Sequence, residues 1–151
     1  MVTPRLRLLA VDAADAGDLA ELRARAMRPS LEAVGRFDPQ RVRARFLETF
    51  DPACTWRLVD GEGMRVGVIV VRARDDHLLL DHLYVDPDHQ GRGHGAEALA
   101  QVQADAARRR LPVRLGALKD SPSNAFYRRH GFAPAGATEW DNHYVWHPPV
   151  R

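Results

Sequence analysis

Hydrophobic positions along this chain switch between a period of two and a period near 3.6, and the switches mark the predicted elements. Leu6 to Val11 reads as a first strand. Asp12 or Asp15 can cap a helix that runs to about Met27, with Leu19, Leu22 and Ala26 on its apolar face. Arg28-Pro29 predicts a break, and a second helical stretch follows from Ser30 to about Val34, ended by Gly35. Asp38-Pro39 opens another helix, with aspartate as cap, proline in the first turn, and Val42, Phe46, Leu47 and Phe50 inside. Cys54 to Val59 is a predicted strand, and Asp60-Gly61-Glu62-Gly63 a hairpin turn. Arg65 to Arg74 returns, with Val66, Val68 and Val70 alternating against Gly67, Ile69 and Val71. Asp75-Asp76 turns the chain into the apolar run Leu78 to Val85. A glycine-rich turn and a helix from Ala96 through Leu99, Val102 and Ala106 to Arg110 come next. Val113 to Leu118 is a strand. Ser121-Pro122 caps and starts a short helix through Arg129, which Gly131 stops. Two last strands fit Ala133 to Glu139 and His143 to Trp146. This order predicts an α/β domain with a mixed sheet, unlike the regular alternation of a doubly wound fold.

The sharpest chemical signal is Gln90-Gly91-Arg92-Gly93-His94-Gly95, because a strand precedes it and a helix follows. Glycines there let the backbone come close to a ligand. The first amides of the helix lack internal partners and point outward at its positive end. Together these make an anion site suited to a pyrophosphate. A Walker A loop is excluded, since no Gly-Lys followed by Ser or Thr is present. A dinucleotide fingerprint fits loosely through Gly91, Gly93 and Ala96. That motif follows its strand directly and has an acidic residue about 20 positions later; here Asp86 to His89 intervene, and Arg108 to Pro112 follow the helix. NAD binding is the prediction of that rival.

Bulk properties narrow the partners. The 151 residues suffice for one domain with a real core, and 45% hydrophobic with 28% charged residues is ordinary for a globular chain. The net charge is only +2, and Lys119 is the single lysine among spread-out arginines, so no basic face for nucleic acid is expected. Arg108-Arg109-Arg110 closes a helix, where cations complement the dipole. The one cysteine, Cys54, rules out an intrachain disulfide and reads as a small apolar residue. No apolar stretch reaches membrane-spanning length. Met1 to Arg5 lacks a signal peptide's apolar core, so a cytoplasmic protein is expected. The seven histidines show no metal-ligand spacing, so no metal site is expected; His89 and His94 flank the glycine loop, where they can touch phosphate or solvent.

Read as a whole, the strand Leu78 to Val85, the Val85-Asp86-Pro87 that follows it and the loop through Gly95 resemble the acyl-CoA loop of the GCN5-related N-acetyltransferase (GNAT) superfamily. Gln90, Gly93 and Gly95 fill its pattern of Gln or Arg, two residues, Gly, one residue, Gly or Ala. A second match strengthens it: Asn124, Tyr127, Gly131 and Phe132 fill the family's Asn, two residues, Tyr, three residues, Gly-Phe. Lys119-Asp120-Ser121-Pro122 departs mildly from a subgroup that reads Leu-Lys-Asn-Pro-Ala before the tyrosine helix.

The resemblance implies a single domain over residues 1–151. Its mixed, mostly antiparallel sheet has about seven strands flanked by about four helices, splayed between the fourth and fifth strands. It implies acetyl-CoA as co-substrate. Backbone groups of Leu83, Tyr84 and Val85 pair with the pantetheine arm. The loop Gln90, Gly91, Arg92, Gly93, His94, Gly95 and Ala96 holds the pyrophosphate. Asn124 reaches the pantetheine, and Tyr127 protonates the leaving thiolate. For the base, the resemblance points to Asp81 as a groove-lining carboxylate. His82 has the better intrinsic range for base work, and ordered water is a third option. Asp81 and His82 are adjacent in a strand, so only one can face the acceptor. Arg28, Glu32, Phe37 and His143 are candidates for the acceptor pocket, with Asp38, Trp140 and Tyr144 beside them; Asp38 also fits a plain helix cap. The expected reaction is direct attack of a primary amine of a small metabolite or amino acid on acetyl-CoA in a ternary complex. A protein or peptide amine, or a non-catalytic acyl-CoA-sensing module, is the alternative. A homodimer is compatible with the resemblance.

Overall fold

The structure is a computed structural model that describes residues 5–150. The N-terminal stretch Met1 to Pro4, part of the segment read above for a signal peptide, lies outside the described residues. Among these residues the elements are β1 (Arg7–Ala10), α1 (Ala16–Ala33), α2 (Pro39–Glu48), β2 (Thr55–Val59), β3 (Arg65–Ala73), β4 (Leu78–Val85), α3 (His94–Arg109), β5 (Val113–Leu118), α4 (Ser123–Arg129), β6 (Ala133–Ala137) and β7 (Asp141–Trp146). The strands form one seven-stranded mixed sheet in the order β1-β2-β3-β4-β5-β7-β6, as expected for the family. The residues group into two compact units, Met1–Val70 with His82–Ala98, and Val71–Asp81 with Leu99–Arg151.

In the first unit, a 3-10 turn over Ala13–Asp15, closed by a reciprocal cap, leads into α1. The Asp12 carboxylate accepts the Ala14 amide at 2.9 Å, and the Asp15 carboxylate accepts the Asp12 amide at 2.9 Å. Asp12 thus caps the turn before the helix, while Asp15, at the N-terminus of α1 itself, gives that helix no side-chain cap bond. The predicted break at Arg28-Pro29 does not occur: α1 continues through Pro29 to Ala33. A proline inside a helix removes one hydrogen bond and costs about 3 kcal/mol, but here the apolar stripe reaches past it to Leu31, which is buried. An Arg28–Glu32 ion pair at 3.2 Å also straddles the proline. The helix ends where Arg36 donates to the Leu31 carbonyl across Gly35, whose φ is +70°. Asp38 caps α2 as expected, accepting the amides of Gln40 and Arg41. Leu19, Ala20, Leu22, Phe46, Val68 and Val70 form the core of this unit, with Val11, Phe50, Cys54 and Tyr84 packed against it. Cys54, expected as the first residue of a strand, instead ends a 3-10 turn over Pro52–Cys54 just before β2, and is half-buried.

β1, β2 and β3 are antiparallel, in the registers Arg7↔Val59 and Arg57↔Val68, with a bulge between Leu58 and Val59. Gly67 is required where β3 meets β4: a Cβ there would lie 2.3 Å from the Tyr84 carbonyl oxygen.

In the second unit, β4 and β5 run parallel and pair at their first residues, Leu78↔Val113 and Leu79↔Arg114. β5 pairs antiparallel with β7 over six residues, and β6 pairs antiparallel with β7. The last two strands shift slightly from expectation, since β6 stops at Ala137 and β7 begins at Asp141. Ser121 does not cap α4 through its side chain; the α4 N-terminus carries no side-chain cap, and the Ser121 hydroxyl instead lies 3.3 Å from the Asn124 amide nitrogen.

Candidate active site

The first unit carries the loop. β4 ends at Val85, and Asp86 then opens a 3-10 turn over Pro87–His89 by accepting the Asp88 amide. The Asp86 amide donates to the Val66 carbonyl at 2.8 Å, and its carboxylate pairs with Arg25 at 2.8 Å. Burial pushes the Asp86 carboxyl up. The Arg25 and Asp88 hydrogen bonds and the nearby charges of Arg25 and His89 outweigh that and hold it below the usual carboxylate range. Gln90 folds back so that its amide donates to the Val85 carbonyl at 3.0 Å, which fixes the loop to the strand end. Gly91 and Gly93 have φ of +79° and +83°, a left-handed backbone that favours glycine. The Gly93 carbonyl accepts the Glu97 amide as the first bond of α3. The amides at the α3 N-terminus beyond it have no intrahelical acceptor.

Two ring nitrogens beside this loop, His89 Nδ1 and His94 Nε2, are buried without a hydrogen-bond partner among the described residues. The hairpin turn after β2 comes near the same histidines. Amides of Met64 and Glu62, with the charges of His94 and His89, hold the Asp60 carboxyl low against the opposing effect of burial.

The loop residues Gln90, Gly91, Arg92 and Gly93 are exposed, and His94, Gly95 and Ala96 half-buried, as are Leu83, Tyr84 and Val85. His82, by contrast, is buried. Arg28, Glu32 and Phe37 come together at the end of α1: besides the ion pair, the Arg28 guanidinium stands 5.2 Å from the centroid of the Phe37 ring. Arg23 was not a candidate from sequence. It is buried, with Nε donating to the Tyr84 hydroxyl at 3.3 Å and Nη1 to the Val42 carbonyl at 2.6 Å. Its place one residue after Leu22 on the apolar side of a helix was the available signal.

In the second unit, Asp81 is exposed and its carboxylate accepts Arg72 Nε at 2.9 Å. Asn124 is buried and heavily bonded. Its Nδ2 donates to the carbonyls of Leu118 (2.8 Å) and Ser121 (3.0 Å), while its Oδ1 accepts from Asn142 (3.0 Å) and the Tyr144 hydroxyl (2.7 Å). Two hydrogens and two lone pairs are all that an amide side chain has. Tyr127 is buried and packed edge-on against Phe126 and Phe132, at ring separations of 5.2 and 5.6 Å. His143 sits on β7 opposite Gly116, with its imidazole 3.6 Å from where a Cβ on that glycine would stand, an ordinary contact distance. Tyr144 is buried and also accepts Arg128 at 3.2 Å, whereas Trp140 is exposed.

Among the described residues no group of three His, Cys, Asp or Glu is arranged to hold a metal ion, and no helix is long and apolar enough to cross a membrane.

Comparison with known proteins bears on this arrangement. The fold matches PaiA N-acetyltransferase from Thermoplasma acidophilum, solved in complex with coenzyme A, with a TM-score of 0.75 at 13% identity over 94% of this chain and 98% of that one. It matches an acetyltransferase from Thermus thermophilus with a TM-score of 0.71 at 23% identity over 96% and 98%. It also matches the ribosomal-protein-S18-alanine N-acetyltransferase of Escherichia coli, with a TM-score of 0.71 at 15% identity over 97% and 96%. A search of curated protein sequences finds no match. The family model of the acetyltransferase (GNAT) domain matches residues 51–134, more than half of the chain, including the glycine loop, Asn124 and Tyr127. The chain therefore belongs to the GNAT acetyltransferases.

Proposed function

We propose that this protein is an acetyl-CoA-dependent N-acetyltransferase that acetylates a primary amine of a small metabolite or amino acid by direct attack in a ternary complex. The observation that carries this reading is the loop itself. Two left-handed glycines, a glutamine clamp on Val85 and the open amides of α3 make a rigid anion cradle directly after β4. The orphaned nitrogens of His89 and His94 fit a ligand at the same place. Residues 90–96 hold the pyrophosphate, and the backbone of Leu83, Tyr84 and Val85 hydrogen-bonds the pantetheine arm. Tyr127 gives its hydroxyl proton to the thiolate as the carbon–sulfur bond breaks and the new amide bond forms. Asn124, whose bonding capacity is filled by protein groups, acts by fixing the start of α4 and hence Tyr127. Asp81, tied to Arg72, lines the groove in this reading, and Arg28, Glu32, Phe37 and His143 contact the acceptor.

Titration calorimetry with acetyl-CoA, CoA and NAD is the direct test. Micromolar binding of acetyl-CoA without NAD supports the reading, and amines are then screened by thiol release. Absence of acetyl-CoA binding overturns it, and NAD binding would favour the dinucleotide rival. Tight acetyl-CoA binding with no acceptor turned over would point to a sensing module.

A further inference from the structure

Alternate residues of a strand share a face, so His82 and Tyr84 stand together on one side of β4 while Asp81 and Leu83 take the other. The His82 imidazole is 8% exposed, and its Nδ1 lies 3.2 Å from the Tyr84 hydroxyl oxygen. Phe46 of α2 holds the imidazole by a tilted ring contact at 5.2 Å, and the Tyr84 ring lies 5.6 Å away. From α1, the charged Arg23 meets the same hydroxyl through Nε at 3.3 Å, while Nη1 is anchored on the Val42 carbonyl.

One direction in this group follows from its chemistry. A guanidinium only donates, so the Tyr84 oxygen accepts from Arg23. The hydroxyl keeps one hydrogen to donate, and His82 Nδ1, 3.2 Å away, is positioned to accept it when the ring carries its hydrogen on Nε2. The phenol oxygen has two lone pairs and Arg23 takes one. The other is left for an incoming N–H, and Tyr84 is the half-buried member of the group.

We propose that Tyr84 and His82 form a proton relay that deprotonates the acceptor amine, with Arg23 as its positioning residue. The proposal rests on the acetyltransferase reading above and supplies the base that this reading lacks. The step is balanced: an ammonium proton of the acceptor passes to the Tyr84 oxygen as the phenolic proton passes to His82 Nδ1. The products are a neutral amine, a neutral tyrosine and an imidazolium, with one positive charge moved from amine to ring. The Arg23 cation opposes a lasting second charge beside it, so once the acetylated product has left, the ring discharges its proton through Tyr84 to water in the emptied groove. Tyr84 is the catalytic residue of the set, and His82 acts through it. Asp81 is on the other face and paired with Arg72.

The test combines kinetics with a direct view of the ring. Rates with acetyl-CoA and whichever of tyramine, spermidine or an alanyl dipeptide is turned over fastest are measured against pH for wild type, Tyr84→Phe, His82→Gln and Arg23→Lys. Tyr84→Phe and His82→Gln are each expected to lower kcat by about 100-fold and to remove the acidic limb of the kcat profile. KM for acetyl-CoA should stay within about twofold, which also reports that the variants fold, and the double variant should be no slower than the slower single one. Arg23→Lys should lower kcat by about tenfold and keep the limb. A single variant within about threefold of wild type, with its acidic limb intact, overturns the relay while leaving the acetyltransferase reading standing. Failure of the wild type to bind acetyl-CoA overturns both. Nitrogen-15 imidazole spectra of the wild type should show His82 neutral with hydrogen on Nε2, and Tyr84→Phe should disturb that pattern. A hydrogen on Nδ1 in the wild type overturns the relay irrespective of any rate.

Discussion

The hydroxyl of Tyr144 donates to the Oδ1 of Asn124 at 2.7 Å, joining β7 to the start of α4 across 20 residues of sequence. Asn124 returns the connection through Nδ2 to the last carbonyl of β5, at Leu118. Replacing it by alanine strands the hydroxyl hydrogen of the buried Tyr144, while the Leu118 carbonyl keeps the Ser121 amide as a donor. That loss costs roughly 1–3 kcal/mol, so Asn124→Ala should lower the melting temperature by roughly 3 to 9 °C at about 3 °C per kcal/mol. Tyr144→Phe removes the hydroxyl itself and leaves Asn124 Oδ1 with Asn142 as its donor, so it should cost about half as much. Thermal melts followed by circular dichroism read both. Equal effects would show that Asn124 is no hub.

Tyr127 has a different part. Tyr127→Phe keeps the ring packed on Phe126 and Phe132 and removes only the hydroxyl. Stability should change by less than about 1 kcal/mol, while kcat falls by about 100-fold and acetyl-CoA affinity holds. A fall below about threefold in steady-state assays would remove Tyr127 as the acid.

Gly67→Ala is expected to be disruptive out of proportion to one methyl group. Its Cβ would stand 2.3 Å from the backbone oxygen of Tyr84, which cannot swing aside as a side chain would. A cost of about 3 kcal/mol follows for this overpacked site. Urea unfolding should show a lowered midpoint, and an unchanged midpoint would mean that the strands meet differently.

Gly93→Ala tests the loop without touching the core. Alanine at a φ of +83° is strained by about 1–2 kcal/mol, with open space around the new methyl group. Relaxation of that strain moves the loop amides. Acetyl-CoA binding should weaken by at least tenfold in calorimetry while the melting temperature drops only a few degrees.

Asp86 gives stability a pH dependence with a definite sign. Its carboxyl ionises below the ordinary range in the folded protein, through Arg25 and the Asp88 amide against the effect of burial. The unfolded chain therefore takes up a proton first as pH falls. The stabilisation is fully present above about pH 4 to 5 and is lost as pH drops through the folded-state value. Asp86→Asn should be less stable than wild type at pH 7, and the gap should close in acid. A gap independent of pH, in urea unfolding at neutral and acid pH, would contradict the assignment.

The strand, glycine turn and helix around residues 78 to 109 were legible because the signals are local: a run of apolar residues, glycines where left-handed backbone is needed, then a 3.6-residue stripe. The Asp12 and Asp38 caps were readable for the same reason. Pro29 misled because its rule is local too, while the burial of Leu31 that carries the helix past it is tertiary. Arg23 shares the helical stripe of Leu19, Leu22 and Ala26, but its partner Tyr84 is 61 residues away, so the stripe could place it inward without showing what it meets. Asn124 was recognised from its motif, but the partners that fill its bonding capacity come partly from β7, which no motif announces. The Arg72–Asp81 pair lies between two strands joined by a short turn. Strand register, which the alternation of side chains leaves open, decides whether such a pair meets.

Pro29 has no N–H for the Arg25 carbonyl, so α1 is short of one rung there. The Arg28–Glu32 pair beside it is exposed, worth about 0.2–0.5 kcal/mol and screened by salt. Burial of Leu31 is what keeps that turn helical. The end of α1 that carries Glu32 should therefore keep its place as ionic strength changes.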